Sequence, residues 1–422
     1  MANLQSLLKR RYAPLVNPVA PADTLARDIK FDTNHKTGEE YHVPVRLGLE
    51  QGFARSNTHT SVTLAAAVEA VREVAKLKGS EIIGSAEFSY GDMSQLSETK
   101  GDSDKAYDQT VGVKIMDLSD GASQHLEMDL LYGCGSAGLS SIGTISAIAV
   151  AASAGVVTVN ISRASFIPAF WNDAANAQID VYSTGGVKRN AIGNLTVTGV
   201  DPSRCRVQLT GAVADAAAVV ATDVLHFAGA RNNSMVGFQA ISENTSTLLN
   251  INAAQYPQWR VTNYPVAGAL NFDKVMEGAA ISGDNGNCDG LTLYLNPRTW
   301  TDLMTDEAAL RRHLDSSGDK VKTGYKSLEF HGPCGVIAIK QHRYMKQGFA
   351  LACPTSVCSR VGSTDITFSL PGSKGNEFFY QEMDNKTGAR IRVYSDQGLI
   401  CHKPFQMVWY TGLANTGDYI PS

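Results

Sequence analysis

The sequence has few charged residues and no large excess of either sign. Asp, Glu, Lys and Arg make up 18% of the 422 residues, and the formal net charge is −4. A chain so close to neutral has no electrostatic drive toward nucleic acid or an anionic membrane. No run is long and apolar enough to span a membrane, since the most apolar one, residues 142–159, is rich in Ala and Ser and interrupted by Gly155. We expect that run to be buried.

Disulfides and secretion are equally unsupported. The seven cysteines are odd in number and irregularly spaced, which favours reduced thiols in a cytoplasm. The first residues lack the apolar core and small-residue cleavage site of a secretory signal. Small residues, by contrast, are abundant, with 38 glycines and a hydrophobic fraction of 43%. This composition indicates a globular protein rich in sheet and loop, and the length allows two or three cores.

The strongest periodic pattern predicts one long helix over residues 104–132. Its apolar stripe, at steps of three or four, comprises Tyr107, Val111, Ile115, Leu118, Ala122, Leu126 and Leu130. Asp102 and Ser103 can cap its start, and Gly133 follows its end. At 1.5 Å per residue such a helix is roughly 40 Å long, so it needs a broad surface beneath it, most simply a sheet.

Two segments before the helix have the composition of extended arms. Residues 1–30 combine an amphipathic start, the basic triplet 9–11 and several prolines, and we expect them to lie on another surface or to be disordered. The basic triplet is more typical of a solvated helix face than of a nucleic-acid contact. Residues 41–49 alternate like a strand, and residues 71–83 read as a returning strand, although their alanine-rich approach also permits a helix. Together they predict a two-stranded arm.

Beyond the helix the pattern changes twice. Residues 155–232 contain short alternating strands separated by turn residues, with a hairpin around Asp201, Pro202 and Ser203, and predict a small all-β module. From residue 246 onward the pattern is mixed α and β. The elements predicted there are helices at 271–280 and 298–314 and strands at 291–297, 335–341, 348–354, 365–370, 389–395 and 405–413.

A glycine motif follows the predicted helix and imitates a nucleotide site. Gly133, Gly135 and Gly138 have the spacing of the dinucleotide fingerprint. That motif requires a strand before it, a helix after it and an acidic residue about 20 positions later. Here a helix precedes the motif, and residues 150–165 hold no Asp or Glu. We therefore interpret it as a flexible helix end.

Two other patterns imitate metal sites. Asn285, Asn287, Asp289 and Gly290 match the first half of a calcium loop, but the twelfth position is Asn296 instead of Glu, so we predict a tight turn. A zinc site would have to draw on the four residues His331, Cys334, Cys353 and Cys358. Their spacing is looser than that of structural zinc ligands, and ordinary core residues are the better interpretation.

No catalytic constellation can be recognised in the sequence. A Gly-x-Ser-x-Gly elbow is absent, the nine histidines are dispersed, and no two carboxylates are paired on adjacent strand ends. The aromatic group Tyr256, Pro257 and Trp259 is more typical of a packing corner than of a ligand platform. We assign no catalytic, cofactor-binding or metal-binding residue, expect no cofactor, and expect the protein not to be an enzyme.

The order of these features resembles the major capsid proteins of tailed bacteriophages. Residues 126–145 (LEMDLLYGCGSAGLSSIGTI) are similar to the end of that family's spine helix and the turn after it. Residues 194–232 are similar to a β segment inserted in one branch of the family. Residues 291–304 (LTLYLNPRTWTDLM) resemble the strand-then-helix passage of the axial domain. The resemblance covers most of residues 30–415.

The resemblance implies an α+β, Hong Kong 97-like fold with five parts. These are an N-terminal arm (1–40), an extended E-loop arm (41–90), a peripheral domain with the spine helix (91–154), an inserted β-rich module (155–232), and an axial domain with returning peripheral strands (233–422). The implied arms rest on neighbouring subunits. Some relatives link Lys and Asn covalently between subunits, and no such pair can be matched here.

The function implied is a shell-forming subunit that assembles into the icosahedral head around double-stranded DNA. It implies hexamers and pentamers of this chain, with scaffolding, portal and decoration proteins as further candidate partners. It also implies enclosure of DNA without sequence-specific binding, no membrane, assembly in the bacterial host cytoplasm, and residence in the virion. The alternatives are an encapsulin-like nanocompartment shell, a β-rich hydrolytic enzyme, and a tail or decoration protein.

Overall fold

A computed structural model of the chain describes residues 25–32, 40–57, 63–89, 103–135, 140–305, 327–333, 335–370, 380–382 and 387–415. For residues 103–113, 327–331 and 380–382 it describes the backbone alone. The described part is a mixed α+β protein with many strands and few helices. Predictions for residues 1–24 and for residues 306–314 lie outside the described residues.

The N-terminal part leads into the long helix that the sequence predicts. Its elements are α1 (Leu25–Asp28), β1 (Phe31–Asp32), β2 (Glu40–Arg46), β3 (Arg72–Lys78), β4 (Ser80–Ser89) and α2 (Ser103–Tyr132). The prediction of α2 is confirmed, and its 30 residues span roughly 45 Å. The segment 71–83 is strand and not helix, because β3 pairs antiparallel with β2 and β4 pairs elsewhere.

A closed barrel of six antiparallel strands follows α2. Its elements are β5 (Gly143–Ser153), β6 (Val156–Ile161), α3 (Pro168–Asn172), β7 (Gln178–Tyr182), β8 (Leu195–Asp201), β9 (Arg206–Thr210), α4 (Val213–Ala218) and β10 (Val224–Phe227). The strand order around the barrel is β10-β5-β6-β9-β8-β7. The predicted hairpin is confirmed: β8 and β9 pair across a turn in which the Asp201 carboxylate accepts the backbone N–H of Ser203.

The remaining elements form two larger sheets and the two-stranded pair β11-β12, with helices between the strands. They are α5 (Phe238–Glu243), β11 (Thr247–Leu248), β12 (Ile251–Asn252), β13 (Thr262–Gly268), α6 (Phe272–Asp284), β14 (Leu291–Leu295), α7 (Pro297–Thr305), β15 (Ser327–Gly332), β16 (Gly335–Gln341), β17 (Phe349–Cys353), β18 (Cys358–Thr367), β19 (Tyr380–Glu382), β20 (Gly388–Cys401) and β21 (Val408–Leu413). One sheet has the order β13-β21-β17-β14-β16-β15. The other runs β1-β18-β20-β19, with β4 also paired to β20.

The long helix lies across the sheet that contains β4 and β20. Ile115, Ala122, Phe88 and Val393 are buried together in this contact, as the predicted stripe requires. Gly84 of β4 makes room for it, because a Cβ there would lie 2.9 Å from Leu118 Cδ1. The prediction that the helix crosses a sheet is therefore confirmed.

Two predictions about burial need correction. The C-terminal part of α2 is buried on all sides and not along one stripe, because α1, α5 and the main core surround it. Glu127 and Leu131 are as buried as Leu126.

The all-β unit starts at Gly143 and not at residue 155. Its first strand occupies the Ala/Ser-rich run for which the sequence predicts burial, yet no residue of β5 after Ile145 is buried.

Candidate assembly interface

The two-stranded arm is a regular ladder at its base and an open ribbon beyond it. β2 and β3 pair from Glu40 opposite Lys78 to Arg46 opposite Arg72. Pairing then becomes sparse: the backbone N–H of Leu47 donates to Val71 O at 2.9 Å, and that of Gln51 to Val68 O at 3.3 Å. The side chains of the rest of the described ribbon are largely exposed.

The ribbon carries large apolar side chains that contact little of its own subunit. Leu49 is 60% exposed, Phe53 75%, Leu64 86% and Val68 52%. Single exposed apolar residues are ordinary on protein surfaces, but several on one thin segment mark a contact surface. We call residues 47–57 and 63–71 the arm ribbon.

The base of the arm is fixed firmly to the body. Val43, Val45, Ala75 and Leu77 are buried against a cluster that includes Trp259. The indole N–H of Trp259 donates to Leu248 O at 3.1 Å, as expected of a packing corner. The backbone N–H of Lys76 donates to Leu249 O at 2.9 Å, and Asn250 Nδ2 to Val74 O at 3.1 Å. The arm therefore leaves the body in a defined direction.

A groove of about 430 Å³ lies between the arm base and the body. Arg46, Leu49, His402 and Lys403 are among the residues along it. The charged side chains along the groove are basic, so a peptide segment bound there would pair best through carboxylates or backbone carbonyls. Burial lowers the pKa of His402 below its usual range.

The start of the described chain is held by a buried carboxylate of the long helix. Glu127 accepts the backbone N–H groups of Leu25 at 3.2 Å and Ala26 at 2.8 Å, the unpaired donors at the start of α1. Asp28, at the end of α1, accepts the Tyr294 hydroxyl at 2.6 Å and Lys340 Nζ at 2.9 Å. These contacts hold α1 against α2, β14 and β16.

Arg360 reinforces this anchor on the other side of residue 28. Its Nε donates to Ile29 O at 2.9 Å, and its Nη1 donates to Gln397 Oε1 at 2.8 Å and Asp365 Oδ1 at 3.1 Å. Residues 31–32 pair with β18 as an added parallel strand.

A second buried charge lies at the end of the long helix. Lys346 Nζ donates to Ser141 O and to Gln239 Oε1, both at 2.7 Å, and lies 4.1 Å from the centre of the Tyr132 ring. Burial lowers the pKa of Lys346 to about 7 and raises the pKa of Asp129, one turn before Tyr132, to about 7. Lys346 joins α2, the entry to the barrel and α5.

The barrel carries a loop held by three buried carboxylates. Residues 183–194 connect β7 to β8. Asp180 pairs with Lys188 at 2.9 Å and Asp223 with Arg189 at 3.2 Å. Asp215 accepts the backbone N–H groups of Ile192 and Gly193, so the loop has a defined conformation.

The glycine motif and the calcium-like motif of the sequence form a helix end and a turn. Gly133 follows α2, and Gly135 has φ +46°, which agrees with a helix end; residues 136–139 lie outside the described residues. In the calcium-like segment the Asn287 oxygen accepts the Asp289 N–H at 3.2 Å, and Gly290 has φ +89°. The predicted tight turn is confirmed.

The four residues considered for zinc are only partly described. The His331 side chain and Cys334 lie outside the description, whereas Cys353 and Cys358 are buried with their Sγ atoms 3.5 Å apart. Within the described residues, no group of three His, Cys, Asp or Glu side chains is arranged to hold a metal ion. Among the helices described, none is long and apolar enough to cross a membrane.

The buried charges were not singled out from the sequence, although one signal was available. Glu127 and Asp129 alternate with Leu126, Met128 and Leu130 inside the most apolar turn of the helix. A carboxylate within such a turn is expected to be buried with a partner. Lys346 lies in a polar loop, where nothing local distinguishes it from an exposed lysine.

Solved structures with a similar fold were found, although no family model and no curated protein matches the sequence. The fold is similar to those of phage capsids. The capsid asymmetric unit of cyanophage A-1(L) matches with a TM-score of 0.49 and 11% identity, over 92% of this chain and 90% of that chain. The capsid of a native GTA particle matches with a TM-score of 0.43 and 9% identity, over 95% and 97%. The capsid of cyanophage P-SCSP1u gives 0.42 and 8%, over 93% and 89%.

Proposed function

We propose that this chain is the major capsid protein of a tailed bacteriophage, a subunit that assembles with copies of itself into a closed icosahedral shell around double-stranded DNA. The observation that carries the proposal is the arm ribbon, which exposes Leu49, Phe53, Leu64 and Val68 on a segment with a fixed base. A two-stranded ribbon has little stability alone, so its exposed residues are explained best by contact with a neighbouring copy.

A closed shell repeats the same arm contact at every subunit, and together these contacts are sufficient to hold the shell. Each arm contributes a modest contact, but in a symmetric shell every subunit gives one and receives one, and the contacts add up. The resemblance noted from the sequence supplies the roles: the arm as E-loop, α2 as spine helix, and residues 233–422 as axial domain with returning strands. The domain boundaries remain part of this proposal, with the start of the β-rich module moved from residue 155 to residue 143.

The overall charge suits a wall around packaged DNA. With a net charge of −4, the chain offers no general attraction to phosphate, so DNA inside would not adhere to the shell. We propose no sequence-specific DNA contact, no catalytic role and no cofactor. Assembly would take place in the host cytoplasm, with scaffolding, portal and decoration proteins as partners, and the mature protein would reside in the virion.

The test is to place a charge on the arm ribbon at two adjacent positions. Leu64→Asp replaces a highly exposed apolar side chain, whereas Thr63→Asp adds the same charge at an exposed polar position. We expect Thr63→Asp to form closed particles and Leu64→Asp to remain as folded, unassembled subunits, as seen by sedimentation velocity and negative-stain microscopy. Closed particles from Leu64→Asp, or equal failure of both variants, would count against the role proposed for the ribbon.

A further inference from the structure

Four sulfur atoms from distant parts of the chain meet in one buried cluster. Cys358 Sγ lies 3.0 Å from Cys401 Sγ, 3.5 Å from Cys353 Sγ and 3.8 Å from Met407 Sδ. The three cysteines are buried, at 6% exposure for Cys358, 2% for Cys401 and 1% for Cys353. Their hydrogen-bonding potential is weak, so packing alone does not require thiols at these three positions.

The sheet register places two of these thiols face to face. Cys358, the first residue of β18, is directly opposite Cys401, the last residue of β20. The adjacent pair is joined by a hydrogen bond from His402 N to Val357 O at 2.9 Å. Because hydrogen-bonded and non-hydrogen-bonded pairs alternate in an antiparallel ladder, Cys358 and Cys401 form a non-hydrogen-bonded pair, with Cα atoms about 4.5 Å apart. That spacing is within the range of about 4.4–6.8 Å found in disulfides.

We propose that Cys358 and Cys401 are a disulfide-forming pair, oxidised within one chain by a low-molecular-weight disulfide such as oxidised glutathione. One protein thiolate attacks a sulfur of the small disulfide, forms a mixed disulfide and releases one small thiolate. The second protein thiolate attacks the mixed disulfide, forms the Cys358–Cys401 bond and releases the other small thiolate. The two protein thiols lose two protons and two electrons, and the small disulfide is reduced to two thiols.

The order of attack follows from exposure. Cys358 is the least buried of the three cysteine residues, so we expect a small oxidant to reach it first. Cys401 then lies nearer to it than Cys353 does, at 3.0 Å against 3.5 Å. Cys353 belongs to β17 in the other sheet, so a bond from it to Cys358 would draw two sheets together. The cross-strand bond requires no such shift.

The bond would stabilise the fold, and it would form slowly. It closes a loop between residues 43 apart in sequence, whereas the competing bond spans 5, and a longer closed loop restricts the unfolded chain more. Burial raises the pKa of both thiols, so little thiolate is present near neutral pH. Oxidation is therefore expected to accelerate with pH. None of this depends on shell formation.

The test uses the purified full chain, reduced and then incubated with oxidised glutathione in native buffer. Remaining thiols are blocked with an alkylating reagent, and peptides are analysed by mass spectrometry without reduction. The exposed Cys288 should acquire glutathione and so shows that the oxidant is active. We expect a peptide linking Cys358 to Cys401, two fewer alkylated thiols in that cluster, and a urea midpoint higher than that of the reduced chain.

Three serine variants separate the alternatives. Cys401→Ser and Cys358→Ser should abolish both the linked peptide and the upward shift of the midpoint, whereas Cys353→Ser should retain both. Reduced samples of each variant, compared by urea unfolding, show that the fold is intact before oxidation. A dominant Cys353–Cys358 peptide, glutathione attached to Cys358 without a cross-link, or full alkylation of the cluster while Cys288 is modified would each overturn the proposal.

Discussion

Glu127 and His342 contact each other in the core, with His342 Nε2 at 3.2 Å from Glu127 Oε2 and each side chain only 2% exposed. The same carboxylate accepts the backbone N–H groups of Leu25 and Ala26. Glu127 therefore joins three parts of the molecule: the long helix, the first described helix and the loop after β16. A single side chain thereby links α1 and the loop after β16 to the long helix.

Replacing Glu127 should destabilise the subunit strongly. Glu127→Ala leaves two backbone donors and the imidazole without their acceptor in the core, and we expect the free energy of unfolding to fall by about 3 kcal/mol or more. Glu127→Gln should lose less, because its amide oxygen still accepts a hydrogen bond. Urea unfolding of the unassembled subunit measures both. Asp117→Ala, an exposed carboxylate on the same helix, should change stability by less than about 0.5 kcal/mol; an equal effect from the two alanine variants would contradict the anchoring role.

The lowered pKa of Lys346 should make the stability of the subunit depend on pH. Its folded pKa of about 7 lies below the ordinary value of 10.5. Between these values the unfolded chain binds the proton and the folded chain does not. Stability from this group is therefore present at high pH and is lost as pH falls toward 7, by about 1.4 kcal/mol per pH unit.

The measurement is the difference in unfolding free energy between the wild type and Lys346→Met from pH 7 to 10. The wild type should gain stability relative to the variant across this interval. Lys76→Met removes the same charge at an exposed position and should show a nearly constant difference. A flat difference for Lys346→Met would indicate that the ammonium remains charged in the core.

Gly121 of the long helix and Gly133, which directly follows it, should respond in opposite directions to replacement by alanine. A Cβ at Gly121 would have no neighbour within 4 Å, so Gly121→Ala should stabilise the subunit by about 0.5–1 kcal/mol through the helix preference of alanine. At Gly133 a Cβ would collide with the carbonyl oxygens of Met235 and Asp129, and Gly133→Ala should destabilise by about 1–3 kcal/mol. Thermal unfolding of both variants checks the pair; stabilisation by Gly133→Ala would contradict the close approach of α2 to the segment before α5.

The sequence pattern alone predicts those elements whose buried side chains recur at the period of a helix or a strand. The helix was predicted because Ile115, Ala122 and Leu126 recur on one face, and the β8–β9 hairpin because turn residues separate two alternating runs. Strand β5 was missed because its Ala and Ser side chains hardly alternate, and pairing with β6 and β10 makes it a strand. The start of the barrel is thus decided by tertiary contacts.

Some of the functional features can likewise be predicted from the sequence, and others cannot. The arm ribbon was predictable, since β2 alternates and the segment after it is polar. The sulfur cluster was not, because Cys353, Cys358 and Cys401 come together only through the register of β18 with β20 and the approach of β17. The burial of Lys346 was also hidden, because its acceptors, Ser141 and Gln239, are distant in sequence.

The central claim is that the arm ribbon joins copies of this chain into a shell. Deleting residues 50–70 tests it most directly, with negative-stain microscopy and sedimentation of the deleted and complete chains side by side. We predict closed particles from the complete chain, and from the deletion a soluble subunit that unfolds as cooperatively as the parent but forms no particles. Closed shells from the deletion, or a complete chain that stays monomeric under every assembly condition, would contradict it.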